Sequence, residues 1–167
     1  MLIAFARTLR AVLSASPFVI ATLMATPASA AGSIYYGSRV GMEVTITSMS
    51  GIGGTNAIIR AVHTRANART FCLEYARDSS EACIREELST RLSDHIAANC
   101  KSGVFTTFYG ETLRFLGPNK NSDFGSPKYK LVSLASGRPL DGSSASGYSY
   151  DIEQFSALCP GLIEPEQ

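Results

Sequence analysis

Asp78-Ser79-Ser80-Glu81-Ala82-Cys83-Ile84-Arg85-Glu86-Glu87-Leu88-Ser89-Thr90-Arg91-Leu92-Ser93-Asp94-His95-Ile96-Ala97-Ala98-Asn99-Cys100 is the stretch on which the fold turns. Asp78, with Glu81 three residues on, has the spacing of a capping box, and the pattern predicts a helix over 81–98. With Ile84 as origin, Leu88, Leu92 and Ile96 fall at roughly 40°, 80° and 120° on the helical wheel, a single apolar stripe. Glu81–Arg85 and Glu87–Arg91 stand four residues apart in the favourable order and mark the wet side, to which Glu86 and Glu87 are assigned.

This helix also constrains the cysteines. If 81–98 is helical, Cys83 and Cys100 lie roughly 25 Å apart, whereas a disulfide needs Cα atoms within about 7 Å. Two connectivities remain: Cys72–Cys83 with Cys100–Cys159, or Cys72–Cys100 with Cys83–Cys159. The first is preferred because a strand–turn–helix return would bring residues 72 and 83 together locally.

On either side of the helix the periodicity is two. Met42, Val44 and Ile46 alternate with polar residues, so 42–49 reads as a half-buried strand in a meander with 34–39 and 57–64. Ser50-Gly51-Ile52-Gly53-Gly54 is the turn between them. Residues 70–76 read as strand or as the lead-in to a helix, and the alternation of Phe71, Leu73 and Tyr75 favours strand. After Cys100, 104–109 and 112–116 form a hairpin about Gly110-Glu111, with Phe108 opposite Leu113 and Thr106 opposite Phe115. Residues 129–134 are a further strand, and 141–147 a Gly/Ser loop. Asp151, with Gln154, opens a short helix that buries Ile152, Phe155 and Leu158 and ends at Cys159-Pro160. The fold class is α+β: antiparallel strands, one central amphipathic helix, a short carboxyl-terminal helix and two disulfides.

The first 30 residues are of another kind. Arg7 and Arg10 precede an uncharged, largely apolar run, and Ala28-Ser29-Ala30 matches the small-residue cleavage pattern of a secretory signal peptide. Cleavage is expected after Ala30, leaving 31–167 as one mature domain without a stable membrane anchor. The mature chain carries 13 basic residues (15 less Arg7 and Arg10) against 14 acidic ones. A balance so near zero gives no electrostatic call on nucleic acid. All four cysteines lie in the mature part, in spacings that match no zinc site. An even count in an exported chain reads as two disulfides. The expected location is periplasmic or secreted.

No residue set in the chain amounts to a catalytic signature. His63 and His95 are the two histidines of the chain. His95 falls inside the Leu88–Leu92 stripe and His63 on a strand face with Ile59 and Ala61, so both read as structural, hydrogen-bonded histidines. Gly142-Ser143-Ser144-Ala145-Ser146-Gly147 imitates a nucleophile elbow but reads as a surface loop. Gly51-Ile52-Gly53-Gly54 lacks the third glycine of a dinucleotide loop. Asn119 to Gly125 places oxygens at alternate positions, as calcium loops do, yet Asp123 is its one carboxylate and Lys130 stands where a Glu is wanted. No catalytic residue, cofactor or metal is therefore assigned. The tyrosines Tyr35, Tyr36, Tyr109, Tyr148 and Tyr150 form local clusters of the kind that make sugar- or peptide-binding platforms, and they are the binding candidates.

Asn99-Cys100-Lys101-Ser102-Gly103-Val104-Phe105, the Tyr109-Gly110 hairpin, Asp141-Gly142-Ser143, Ala145-Ser146-Gly147-Tyr148 and Gln154 through Pro160 together are similar to small exported proteins of unknown function from alphaproteobacteria. The resemblance covers the carboxyl-terminal half; it implies a bacterial periplasmic setting and carries no activity. The functional expectation is a non-enzymatic extracytoplasmic binding or interaction module with a protein or cell-envelope partner. The alternatives are a periplasmic enzyme inhibitor, and a small hydrolase using His63 or His95.

Overall fold

A computed structural model describes residues 32–120 and 126–164. The expected leader at 1–30 lies outside them, as do residues 121–125 of the calcium-like segment. Seven antiparallel strands form one sheet in simple chain order: β1 (Ser33–Tyr35), β2 (Glu43–Ser50), β3 (Ala57–Val62), β4 (His95–Asn99), β5 (Val104–Thr106), β6 (Thr112–Pro118) and β7 (Tyr129–Ser133). Helices α1 (Arg65–Phe71) and α2 (Glu81–Leu88) stand between β3 and β4, joined by a wide helical turn at Cys72–Ala76, and α3 (Tyr148–Leu158) follows β7. Among the described residues no helix is long and apolar enough to cross a membrane.

One face of the sheet makes the main core. Ile34, Val44, Ile59, Ile96, Phe105 and Leu113 point from successive strands onto Phe155 and Leu158 of α3. The Phe155 ring stacks on Phe115 at 4.6 Å and tilts against Phe105 at 5.0 Å. Removing a buried phenylalanine of this kind costs about 3–5 kcal/mol. Gln154, one residue before, is also fully buried, and its amide ties β1 to the β5–β6 loop by donating to the Tyr35 carbonyl (3.0 Å) and accepting from Phe108 N–H (3.1 Å). A second, smaller core of Ala68, Cys72 and Ile84 lies between α1 and α2.

The two disulfides are Cys72–Cys83 and Cys100–Cys159, with Cα–Cα distances of 6.0 and 5.5 Å. The first ties the wide turn to α2; the second ties the end of β4 to the end of α3.

Four local readings are corrected. The helix over 81–98 stops at Leu88, and 95–99 is instead a strand in the middle of the sheet. Ser89 ends the helix, its N–H reaching the Arg85 and Glu86 carbonyls and its hydroxyl donating to the Glu86 carbonyl at 2.6 Å. A residue spacing of four fits the helical period and is also a multiple of two, so Ile84 and Leu88 belong to helix while Ile96 belongs to strand. The cap at the other end is Ser80, whose hydroxyl accepts from Cys83 N–H; Asp78 stands two residues back and accepts from Ser80 N–H at 2.8 Å.

The 70–76 segment is helical, not strand. Thr64 and Asn67 form a reciprocal capping box that starts α1, and the turn closes at Arg77 in the left-handed region, φ 56°.

Register is the third correction. In the β5–β6 hairpin Phe105 faces Leu113 and Thr106 faces Thr112, because the loop spans five residues in place of two. Thr107 N–H donates to the Glu111 carbonyl and the Thr107 carbonyl takes Gly110 N–H, while Phe108 turns into the core. At the other end of the chain α3 starts at Tyr148, three residues before the expected cap. Asp151 is buried within its first turn.

Candidate functional site

The β1–β2 loop carries Arg39 across the surface to the wide turn after α1. Gly41 makes this possible: its φ is +82°, and a Cβ there would come within 2.6 Å of the Phe71 backbone, so another side chain would push the loop away. Arg39 then lies over the Tyr75 ring, 4.7 Å from its centroid, and Phe71 stacks on the same ring at 5.3 Å. Opposite stands α2, presenting Ala82, Cys83, Glu86 and Glu87. Between them opens a cleft of about 530 Å³. The Cys72–Cys83 bond holds its two walls together.

Glu87 forms part of this lining although its side chain is only 10% exposed. The expectation that it lies on the wet face is overturned: α2 is short, and its inward face carries Glu87 beside Ile84. The Tyr36 hydroxyl, itself fully buried, donates to Glu87 Oε1. Burial and the bond to Glu87 raise the Tyr36 pKa well above that of an ordinary phenol, so the phenol stays a donor.

His63 lies one residue beyond β3, with its ring edge-on to Tyr36 at 5.3 Å and Nε2 at 3.9 Å from Glu87 Oε1. Its side chain is 9% exposed, and neither ring nitrogen has a hydrogen-bond partner. The expected hydrogen-bonded histidine is thus buried but unsatisfied. Burial lowers its pKa, with Glu87 pulling the other way. His95 is corrected differently: it sits on β4, half-buried, with Nδ1 at 2.6 Å from Asp94 Oδ1, outside the apolar stripe assigned to it. The nearby Ser93 hydroxyl donates to the His95 backbone carbonyl, not to its ring.

Among the tyrosine candidates, three come together. Tyr109 meets Tyr36 edge-on at 6.1 Å, and Tyr150 meets Tyr109 at 6.4 Å, so an aromatic ridge runs from the cleft floor to the start of α3. Tyr109 is the exposed member at 43%. Burial raises its pKa; Glu87 adds to that rise and Arg39 opposes it. Behind Tyr150, Asp151 is 2% exposed, and burial with the Glu111 charge pushes its pKa up to about 7. Tyr150 is raised to about 12 by burial and by Asp151. Gly147, at φ +82°, admits both groups, for a Cβ there would stand 2.7 Å from the Tyr150 hydroxyl and 3.0 Å from Asp151 Oδ2.

The other two tyrosines lie elsewhere. Tyr35 is on the edge strand, its phenol raised by a hydrogen bond to Glu43. Tyr148 accepts Tyr129 N–H at 3.0 Å inside a separate cavity of about 600 Å³, between α3 and the segment at Ile163-Glu164. The Gly/Ser loop folds into a short 3₁₀ turn at Ser144–Ser146, in which Ser143 Oγ accepts Ser146 N–H.

Sequence reasoning passed over Arg39, Phe71, Tyr75 and Glu87. The alternation Phe71-x-Leu73-x-Tyr75 was visible, but as a strand it disperses these rings, and only the helical turn gathers two of them beside α2.

Compared with family models, with curated proteins and with solved structures, the chain finds no match.

Proposed function

We propose that the protein is an exported, non-enzymatic interaction module that docks a protein or cell-envelope partner in the cleft between Tyr75 and α2, with Tyr109 and Tyr150 as the adjoining contact ridge. One observation carries the reading. A disulfide-braced cleft combines an aromatic wall with a buried carboxylate, and aromatic side chains that keep a polar end are the usual anchors of protein interfaces. The exported setting is supported by the two disulfides and by the leader pattern at 1–30.

The hydrolase alternative draws less support. Nucleophilic catalysis needs a hydroxyl in line with a base. The Tyr36 hydroxyl is directed at Glu87 and the Ser93 hydroxyl at a backbone carbonyl, neither at an imidazole nitrogen.

The test is capture from periplasmic extract and cell-wall fragments on immobilised protein, run beside Tyr75→Ala and Tyr109→Ala. Both rings are exposed, at 45% and 43%, so these changes leave the core intact. A partner retained by the parent protein and lost by both variants is the expected result. Retention unchanged in both variants overturns the assignment of the cleft. Amino-terminal sequencing of the exported product should begin at Ala31; a product that keeps Met1 overturns the export reading.

A further inference from the structure

The floor of the cleft is polar in a way the protein itself leaves incomplete. Glu87 is nine-tenths buried and its bonded partner is the neutral Tyr36 hydroxyl. A buried carboxylate with only a neutral donor is costly unless a cation comes to it. His63 does not supply one: it stands 3.9 Å away, makes no hydrogen bond, and burial disfavours its charged form. Arg39 does not either, being seated over Tyr75.

Both nitrogens of the buried His63 are unpartnered, with Nε2 3.9 Å from Glu87 Oε1, so the floor is a half-satisfied network of the kind a ligand completes.

From these we infer that the cleft receives a guanidinium or alkylammonium group, the side chain of an arginine or lysine on the protein partner, with Glu87 as its counter-charge. This rests on the cleft being the docking site. Arg39 and Phe71 occupy the two faces of the Tyr75 ring, so the incoming group is held by charge and not by stacking. At the rim Asp78 and Glu86 add two carboxylates, so three acids stand against the single Arg39. Hydrogen bonds from Ser80 lower the Asp78 pKa and keep it charged. An anionic group would meet net repulsion here. The methylene stem of a long basic side chain would lie along Ala76 and Ala82.

The test is an NMR titration of the purified protein with acetyl-arginine amide and acetyl-lysine amide, with acetyl-citrulline amide as the neutral mimic of arginine. Saturable shifts at Tyr75, Glu87 and the His63 ring are expected with the two cations, and binding at least tenfold weaker with citrulline. Glu87→Gln keeps an acceptor for Tyr36 and should weaken the cations at least tenfold. If that variant does not fold, Glu86→Gln, at an exposed position of the cleft lining, carries the same expectation of weakened binding. No saturable shift, equal shifts with citrulline, or binding unchanged in all folded variants overturns the inference. A protein that captures its partner through the cleft but ignores these cations loses this inference and keeps the proposed function. Cation binding without any captured partner does the reverse.

Discussion

Tyr36 and Glu87 form the polar contact that joins β1 to α2 at the cleft floor. Tyr36→Phe keeps the ring and removes the donor, leaving the Glu87 oxygen without its partner. A loss of about 1–3 kcal/mol in stability is expected by urea denaturation. Asp151 makes a second statement, about pH. Its folded-state pKa of about 7 stands above the ordinary value of 3.8, so the folded protein binds this proton more tightly than the unfolded chain does. Its favourable share is therefore complete at acid pH below the ordinary value and is lost as pH rises through about 7. Asp151→Asn should raise stability at pH 8 by roughly 1–4 kcal/mol and leave it nearly unchanged near pH 3.5, where both states carry the proton. His63 runs the other way: its pKa is lowered on folding, so its share is present above the ordinary histidine value and lost as pH falls below it. The difference between thermal melts of the parent and Asp151→Asn across pH isolates the aspartate from that opposing trend. A variant that stabilises equally at both ends would contradict the burial of a charged Asp151.

At the scale of elements, the boundary between α2 and β4 decides how the molecule is assembled. Amides of Ile96, Ala97 and Ala98 lie in a strand paired on both sides, with β3 and β5, and should exchange slowly with solvent. Those of Arg91 and Leu92, between the elements, should exchange fast. Uniform protection from 84 through 98 would restore the long helix and contradict the fold. Strands β2 and β3 are legible because one of their faces is wetter, and the alternation of buried Ala57, Ile59 and Ala61 with half-buried Ile58 and exposed Arg60 and Val62 prints period two directly. Ile84, Leu88, Leu92 and Ile96 are less legible, since the stripe they make runs through a helix, a connection and a strand. The polar run Ser89-Thr90-Arg91, with Ser93-Asp94 after it, is the residual signal of a break, made of residues that bond locally and favour helix ends. The start of α1 hides for a similar reason: its box uses Asn67 where Glu or Gln is usual. The cleft is illegible for the same cause as α1, because its wall is the helical turn at Cys72–Ala76.

Over the whole molecule, the two disulfides divide the labour between the two cores. Cys100–Cys159 clamps α3 to the middle of the sheet, and losing it by Cys100→Ala with Cys159→Ala should cost about 4 kcal/mol of global stability on the chain-entropy account. Cys72–Cys83 closes a short loop in the smaller core. Cys72→Ala with Cys83→Ala should cost about 3 kcal/mol, expressed as faster exchange in α1 and α2 while the β3–β4 ladder keeps its protection. The exclusion of Cys83–Cys100 loses its premise with the long helix, while the preference for Cys72–Cys83, which rested on a local return, holds. Three of the five candidate tyrosines converge because β1, the β5–β6 loop and α3 meet at Gln154, a long-range junction that no local pattern announces. The most direct measurement of the central claim is a hydrogen-exchange footprint of the protein with and without its captured partner. Slowed exchange in 36–41, 71–90 and 107–111, with the outer face of β3–β5 unchanged, is the result expected of docking at the cleft and ridge. Protection confined to the outer sheet face, or to the α3 cavity around Tyr148 and Ile163, would contradict it.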